Sequence, residues 1–215
     1  MRHLSMRKNT APGLLITFCG LDGSGKTTML RRLERNLRKS SESQLLLTKQ
    51  PTDFVRSSDI FRTYMDSPDH SAYDYRSLSL LAASDRLQHS SKVIEPALQQ
   101  GQTVLSDRYF YSCLANLRAR GFTRDYWIYE IATSIVCPDI AFFFDIPVWL
   151  AIARVRQRPA EKERFIDVDL QHRLREEYIE ICESNGGVLI ESYREPEVTY
   201  NKVWEKVKEV LEKRK

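Results

Sequence analysis

Nine residues, Gly20-Leu21-Asp22-Gly23-Ser24-Gly25-Lys26-Thr27-Thr28, fill the spacing G-x-x-x-x-G-K-[ST] directly after an apolar run over residues 14–19. No other feature constrains the chain as strongly, because it calls for a buried strand, a wrapped loop and a helix start in immediate succession. A phosphate chain is well solvated, so a protein that binds it must replace that water with many donors aimed at one small region. Gly20, Gly23 and Gly25 let the backbone wrap without side chains in the way, and a helix beginning near Lys26 adds its unpaired N–H groups and its dipole. Lys26 is placed to reach the β and γ phosphates, and the Thr27 hydroxyl to hold Mg²⁺. A turn without function has no need of Lys-Thr at this offset.

The remaining strands follow from continuous rather than alternating hydrophobicity. Runs over residues 14–19, 44–48, 103–107, 140–145 and 188–191 read as strands of a parallel sheet covered on both faces. Helical patterns lie between and after them, over residues 27–40, 75–99 with an interruption near Pro96, 124–136, 149–158, 169–184 and 200–214. The alternation predicts right-handed crossovers in a three-layer α/β domain, with ligands at the carboxyl ends of the strands. Those ends carry Thr48-Lys49-Gln50-Pro51, Asp107-Arg108-Tyr109 and Asp145. All should face the crevice of the phosphate loop.

With 215 residues, 42% hydrophobic and 29% charged, the chain has the material for one core and a small mobile insertion. The net charge of +4 comes from basic residues interspersed with acidic ones, which fits small phosphorylated ligands and not a nucleic acid. Cys19, Cys113, Cys137 and Cys182 lack C-x-x-C spacing and read as reduced cytosolic thiols, and the histidines form no metal-ligand pair. No stretch reaches membrane-spanning length, and residues 1–12 read as a flexible basic tail ahead of one domain over residues 13–215. A cytoplasmic protein without membrane contact is expected. Arg154, Arg156, Arg158, Lys162 and Arg164 form a cationic cluster split by Pro159. Beside a phosphate loop this reads as an arginine-bearing lid over about residues 154–165, since phosphoryl transfer is accelerated by positioning and by cations where charge accumulates.

These pieces, in this order, resemble the thymidylate kinase family of P-loop nucleoside monophosphate kinases. The resemblance rests on the phosphate loop with acidic Asp22, residues 48–51, Ala83-Ser84-Asp85-Arg86-Leu87-Gln88-His89, residues 104–109, Cys137-Pro138-Asp139, the lid ending Glu163-Arg164-Phe165, and Glu191-Ser192-Tyr193. It implies a P-loop NTPase fold with a five-stranded parallel sheet. It also implies Mg²⁺-dependent transfer of the ATP γ-phosphoryl group to dTMP or a related nucleoside monophosphate, and a homodimer.

The resemblance further implies roles for matching residues. Residues 20–28, Arg154, Ser192 and Tyr193 fall to the ATP side, with Thr27 and Asp107 at the metal. Asp22 corresponds to the carboxylate near the acceptor sugar, Arg108 to the cation bridging donor and acceptor phosphates, and Arg86 to the arginine that reads the base. Arg56 or Arg62 is expected on the acceptor phosphate; Phe54, Ala82, Tyr109, Ser112 and Asn116 fall to the acceptor pocket. Because the loop has Gly23-Ser24 and no arginine, the transition-state arginine is expected from the lid, with Arg158 and Arg164 ahead of Arg154.

The chain also departs from the pattern. Ala82 stands where the family has a phenylalanine stacked on thymine, and Asn116 falls in a run where the family reads A-Y-Q. Phe54, Tyr109, Tyr111 and Leu81 are the residues from which the sequence expects a replacement. Pro159 replaces a glycine in the lid. A deoxynucleoside kinase, or a nucleotide-binding protein with an altered acceptor site and little transfer activity, would carry the same phosphate loop.

Overall fold

The computed structural model describes residues 3–40 and 44–214, with the side chain of Ser40 excepted; Met1 and Arg2 of the expected tail lie outside the described residues, as does Lys215. A parallel sheet in the order β2-β3-β1-β4-β5 is built from β1 (Leu15–Gly20), β2 (Leu45–Lys49), β3 (Thr103–Asp107), β4 (Ile140–Asp145) and β5 (Val188–Glu191). Every residue of β1 is buried, which its central place demands and its unbroken apolar run supplies.

Side chains alternate across the pleat, so successive β1 residues feed opposite layers. Ile16 and Phe18 pack with Leu33 and Leu37 of α1 (Lys26–Ser40) and with Val203 and Val207 of α10 (Pro196–Lys213). Leu15 and Cys19 face the other way. They join Ala83 of α4 (Tyr75–His89), Leu114 of α6 (Phe110–Ala119) and Tyr178 of α9 (Val168–Ser184). The expected three layers result, with α8 (Val148–Arg156) beyond β4.

The strand ranges match the sequence reading to within one residue. Its omissions are helices that periodicity does not reveal. α6 buries Phe110, Tyr111, Ser112, Cys113, Leu114, Ala115, Leu117 and Ala119, so it has almost no polar stripe to set a 3.6-residue period. α2 (Asp53–Arg56) and α3 (Asp59–Asp66) are too short for one to develop. α7 covers only Trp127–Ala132 of the expected 124–136, and α4 runs on through a π-helical turn, Ser90–Ile94, into α5 (Glu95–Gln99).

The described part of the N-terminal stretch corrects its reading as a free tail. Leu4, Asn9 and Ala11 are buried, Arg7 bridges to Val136, and Asn9 Nδ2 donates to Asp139 Oδ2 at 2.7 Å. Asp139 also accepts from the Leu15 amide at 2.8 Å and pairs with Arg214 at the end of α10, so one carboxylate ties both ends of the chain to the sheet.

Candidate active site

The phosphate loop leaves β1 at Gly20 and turns left-handed at Gly23 (φ 83°) and Gly25 (φ 86°). At Gly23 a Cβ would stand 2.2 Å from the carbonyl oxygen of Ala151, so only glycine lets α8 pack on the loop. Lys26, the first residue of α1, is buried, and its Nζ donates across the loop to the Leu21 carbonyl at 2.5 Å. Burial foremost, then the charge of Arg108, brings its ammonium down to about 7; Asp22, Asp107 and Cys19 oppose the shift. An anionic ligand at this point would restore the charged form.

The ends of β1 and β3 are adjacent because Phe18 is in register with Asp107. That register sets the Thr27 hydroxyl 2.6 Å from Asp107 Oδ2, so hydroxyl and carboxylate form a hard-oxygen pair at the helix start. Among the described residues no group of three or more His, Cys, Asp or Glu is gathered to hold a metal. The Thr27–Asp107 pair therefore suits Mg²⁺, which keeps waters and takes substrate phosphate oxygens in place of an all-protein cage.

Arg108 follows with φ 69°, a left-handed conformation rare outside glycine. Its amide donates to the Phe18 carbonyl at 2.8 Å and its carbonyl accepts from Ser106 Oγ at 2.7 Å, which holds the turn. The backbone thus aims the guanidinium back over the loop. It donates to the Gly20 carbonyl at 3.1 Å, to Tyr178 Oη at 3.0 Å and to Asp22 Oδ1 at 2.5 Å. Tyr178 in turn donates to Ser112 Oγ at 3.0 Å. Burial alone would push the Asp22 carboxyl up, but Arg108, Lys26 and Arg164 hold it far below the usual carboxylate range.

Arg164 reaches the same carboxylate from the segment between α8 and α9, donating to Asp22 Oδ2 at 3.2 Å and pairing with Glu161 at 2.8 Å. Arg158 is exposed and pairs with Glu161 at 3.2 Å. Arg154 lies on α8 and donates to the carbonyls of Gly23 (3.4 Å) and Ser192 (3.2 Å), joining the loop to the turn after β5. Ser192 is buried there and bonded to the Asp145 carbonyl, while Tyr193 is exposed and bonded to Glu191.

One cavity of about 680 Å³ runs from the phosphate loop past Arg108 to the space between α3, α4 and α6, with residues 158–167 along its side. At its middle, Lys49 and Arg56 both have lowered pKa values, first through burial and then through neighbouring cations, Arg56 beside Lys49 and Arg108 beside Arg56. Asp22 and Asp107 oppose these shifts without reversing them, and the net positive field suits a phosphate dianion. Arg62 also lines the cavity, but its exposed guanidinium pairs with Asp66 at 2.6 Å.

The far end departs from the sequence expectation. Ala82, Arg86, Ser112 and Asn116 line it, but Phe54 and Tyr109 do not. Phe54 is 73% exposed on α2, and Tyr109 is fully buried with its hydroxyl donating to the Val136 carbonyl at 2.7 Å. Neither Tyr111 nor Leu81 lines the cavity; Tyr111 packs on Phe143 in the core, 5.2 Å between rings. The rings gathered there instead include Phe61, Tyr64, Tyr75 and His70, with Arg120 beside them. The Arg120 guanidinium lies 3.9 Å from the Tyr75 ring centre, and Tyr64 meets Tyr75 edge-on at 5.1 Å. Phe61 and Tyr64 belong to the short α3, Tyr75 opens α4, and Arg120 caps α6, so only packing brings them together.

A family model for thymidylate kinase matches residues 18–203. A probable thymidylate kinase of Pyrococcus horikoshii is 36% identical over 173 residues, covering 80% of this chain and 83% of its own. Another from Thermococcus kodakarensis is 33% identical over 196 residues, covering 88% and 95%. A thymidylate kinase of Desulforudis audaxviator is 30% identical over 210 residues, covering 94% and 93%. The span of the family model takes in the phosphate loop, the Asp107-Arg108 turn and residues 154–165, the relatives cover most of the chain, and on this ground the chain belongs to the thymidylate kinase family.

Proposed function

We propose that this chain is an ATP-dependent nucleoside monophosphate kinase that transfers the γ-phosphoryl group of MgATP to dTMP, yielding ADP and dTDP. The convergence of Arg108 and Arg164 on Asp22, between the phosphate loop and the Lys49–Arg56 pair, is the observation that carries this reading. Donor phosphates lie along residues 20–28, and the acceptor phosphate lies against Arg56, whose guanidinium, unlike that of Arg62, has no ion pair among the described residues. An acceptor phosphate oxygen attacks the γ-phosphorus and the ADP oxygen leaves. Lys26 and Arg108 hold the equatorial oxygens, and Arg164 brings the lid's charge to them. Arg158 lies on the rim and Arg154 braces the loop. Thr27 and Asp107 would hold Mg²⁺, which supplies charge neutralisation at the β and γ oxygens.

A nucleoside kinase needs a carboxylate free to take a proton from a neutral hydroxyl. Asp22 is clamped by guanidinium groups and kept strongly acidic, which disfavours that alternative. Incubation with MgATP and either dTMP or thymidine tests the point. Diphosphate formed from dTMP and no monophosphate formed from thymidine is the expected result; phosphorylated thymidine, or no transfer to any monophosphate, overturns it.

We extend the same reading to organisation. Residues 13–215 act as one kinase domain whose lid spans about residues 154–165. The protein works in the cytoplasm as a homodimer, for which the exposed Leu80 of α4 and Val93 of the adjoining π turn supply apolar surface. Among the described residues no helix is long and apolar enough to cross a membrane. Sedimentation equilibrium of the whole chain tests the dimer.

A further inference from the structure

Two guanidinium groups stand at the far end of the cavity, and neither forms an ion pair among the described residues. Other arginines nearby are paired: Arg108 and Arg164 share Asp22, Arg118 pairs with Glu177 and Glu180, and Arg175 with Asp145, while Arg56, like these two, has no ion pair among the described residues. Arg86 is 3% exposed and is held only by backbone carbonyls, those of Ala82 at 2.9 Å and Tyr109 at 3.4 Å. Arg120 is held by one residue, its Nη1 donating to the Asn116 side-chain oxygen at 3.0 Å and the Asn116 carbonyl at 3.2 Å. Its planar group rests on the face of Tyr75, so its position is set on two sides, while among the described residues its other donors have no hydrogen-bond partner.

The buried Arg86 guanidinium is costly to keep out of water unless a ligand accepts from its remaining donors, and Arg120, half-buried, stands at the same end of the cavity. Arg86 on α4 and Arg120 at the end of α6 approach the same Tyr75, whose phenol is pushed up to about 12 by burial, with both guanidiniums acting against that push. They therefore frame one space from two helices. A ligand that satisfies both must present hydrogen-bond acceptors on two of its edges. Thymine and uracil meet this with two carbonyl oxygens flanking a ring N–H, whereas cytosine and adenine place an amino donor where one of the donor-only guanidiniums needs an acceptor.

We propose that Arg120 is a second base-reading residue, which with Arg86 selects a pyrimidine bearing two carbonyl oxygens and so does by hydrogen bonding what a stacked ring at position 82 would do by contact. Asn116 and Tyr75 are positioning residues that act through Arg120. This assignment rests on the acceptor reading given above, and it makes position 120 a determinant of which monophosphate binds.

Titration calorimetry with a non-hydrolysable ATP analogue present tests it, using dTMP and its 2-thio and 4-thio forms against the wild type, Arg120→Ala and Arg120→Lys. Sulfur accepts a weaker hydrogen bond than oxygen, so it marks the carbonyl that each donor reads. We expect Arg120→Ala to weaken dTMP binding about ten- to a hundredfold. That loss should shrink severalfold for one thio analogue and not for the other, and Arg120→Lys should recover part of it. An unchanged affinity for the ATP analogue serves as the control for folding. Equal losses across dTMP and both analogues, a change of less than about twofold with dTMP, or a wild type that does not bind dTMP would each overturn the proposal. Wild-type protein that binds dTMP with this pattern yet transfers no phosphoryl group would instead overturn the kinase reading alone.

Discussion

Asp22 Oδ1 accepts from Arg108 at 2.5 Å while its Oδ2 accepts from Arg164 at 3.2 Å, so one carboxylate of the phosphate loop gathers a cation from the turn after β3 and a cation from the segment after α8. Both guanidiniums are thereby held beside the phosphate loop, with little reorganisation left for a reaction there. The arrangement depends on the left-handed turn at Arg108 and on the hydroxyl of Tyr178 behind it.

Lys26→Ala is expected to lower kcat/KM by about 100-fold or more while leaving the thermal unfolding midpoint close to wild type, since Lys26 heads α1 and its ammonium is a donor aimed into the loop. Steady-state assay with dTMP and a thermal melt read both quantities. Retention of more than about a tenth of the activity would remove Lys26 from the mechanism.

The same residue makes nucleotide binding pH-dependent. Its ammonium falls from 10.5 to about 7 in the folded protein, so between these values the unfolded chain holds a proton that the folded chain has lost. Stability through this group therefore rises with pH across that window, and below it the buried charge opposes folding in full. Polyphosphate favours the charged form, so MgATP binding near about pH 8 should draw a proton from solvent. Calorimetry in buffers of different ionisation enthalpy measures the uptake; an equal uptake by Lys26→Met would assign the proton to another group.

The lid should become protected when both nucleotides bind. Lys162 is an exposed tryptic site, and Arg164 already contacts Asp22. A bisubstrate analogue is expected to slow cleavage over residues 154–165, and Arg164→Ala to lower kcat by about 100-fold with a smaller change in KM. Cleavage at the same rate with and without the analogue would refute the lid.

Ala82→Phe should strengthen acceptor binding. Ala82 lines the cavity and no aromatic residue expected from the sequence takes its place there. A ring stacked on a base contributes about 1–3 kcal/mol whatever the base, so the substitution is expected to raise kcat/KM for dTMP by about tenfold, mainly through KM. An unchanged or reduced kcat/KM would show that Tyr64 or Tyr75 already supplies that face.

The sequence alone determined the phosphate loop, the strands and their parallel arrangement, because those features are local: the loop needs its glycines and Lys-Thr at fixed offsets, and a central parallel strand needs an unbroken apolar run. By resemblance it also marked Asp22, Arg86, Arg108, Arg164 and the absence of a ring at Ala82. Only the tertiary structure decided what surrounds that absence. Tyr64, Tyr75 and Arg120 lie on three elements that meet by packing, and α6, which carries Arg120 at its end, is apolar on nearly every side and leaves no period to read. The same packing turned Tyr109 and Tyr111 into the core, set Arg62 against Asp66 and left Arg56 beside Lys49. Such choices rest on the directions in which side chains leave distant helices, which spacing along one chain does not encode.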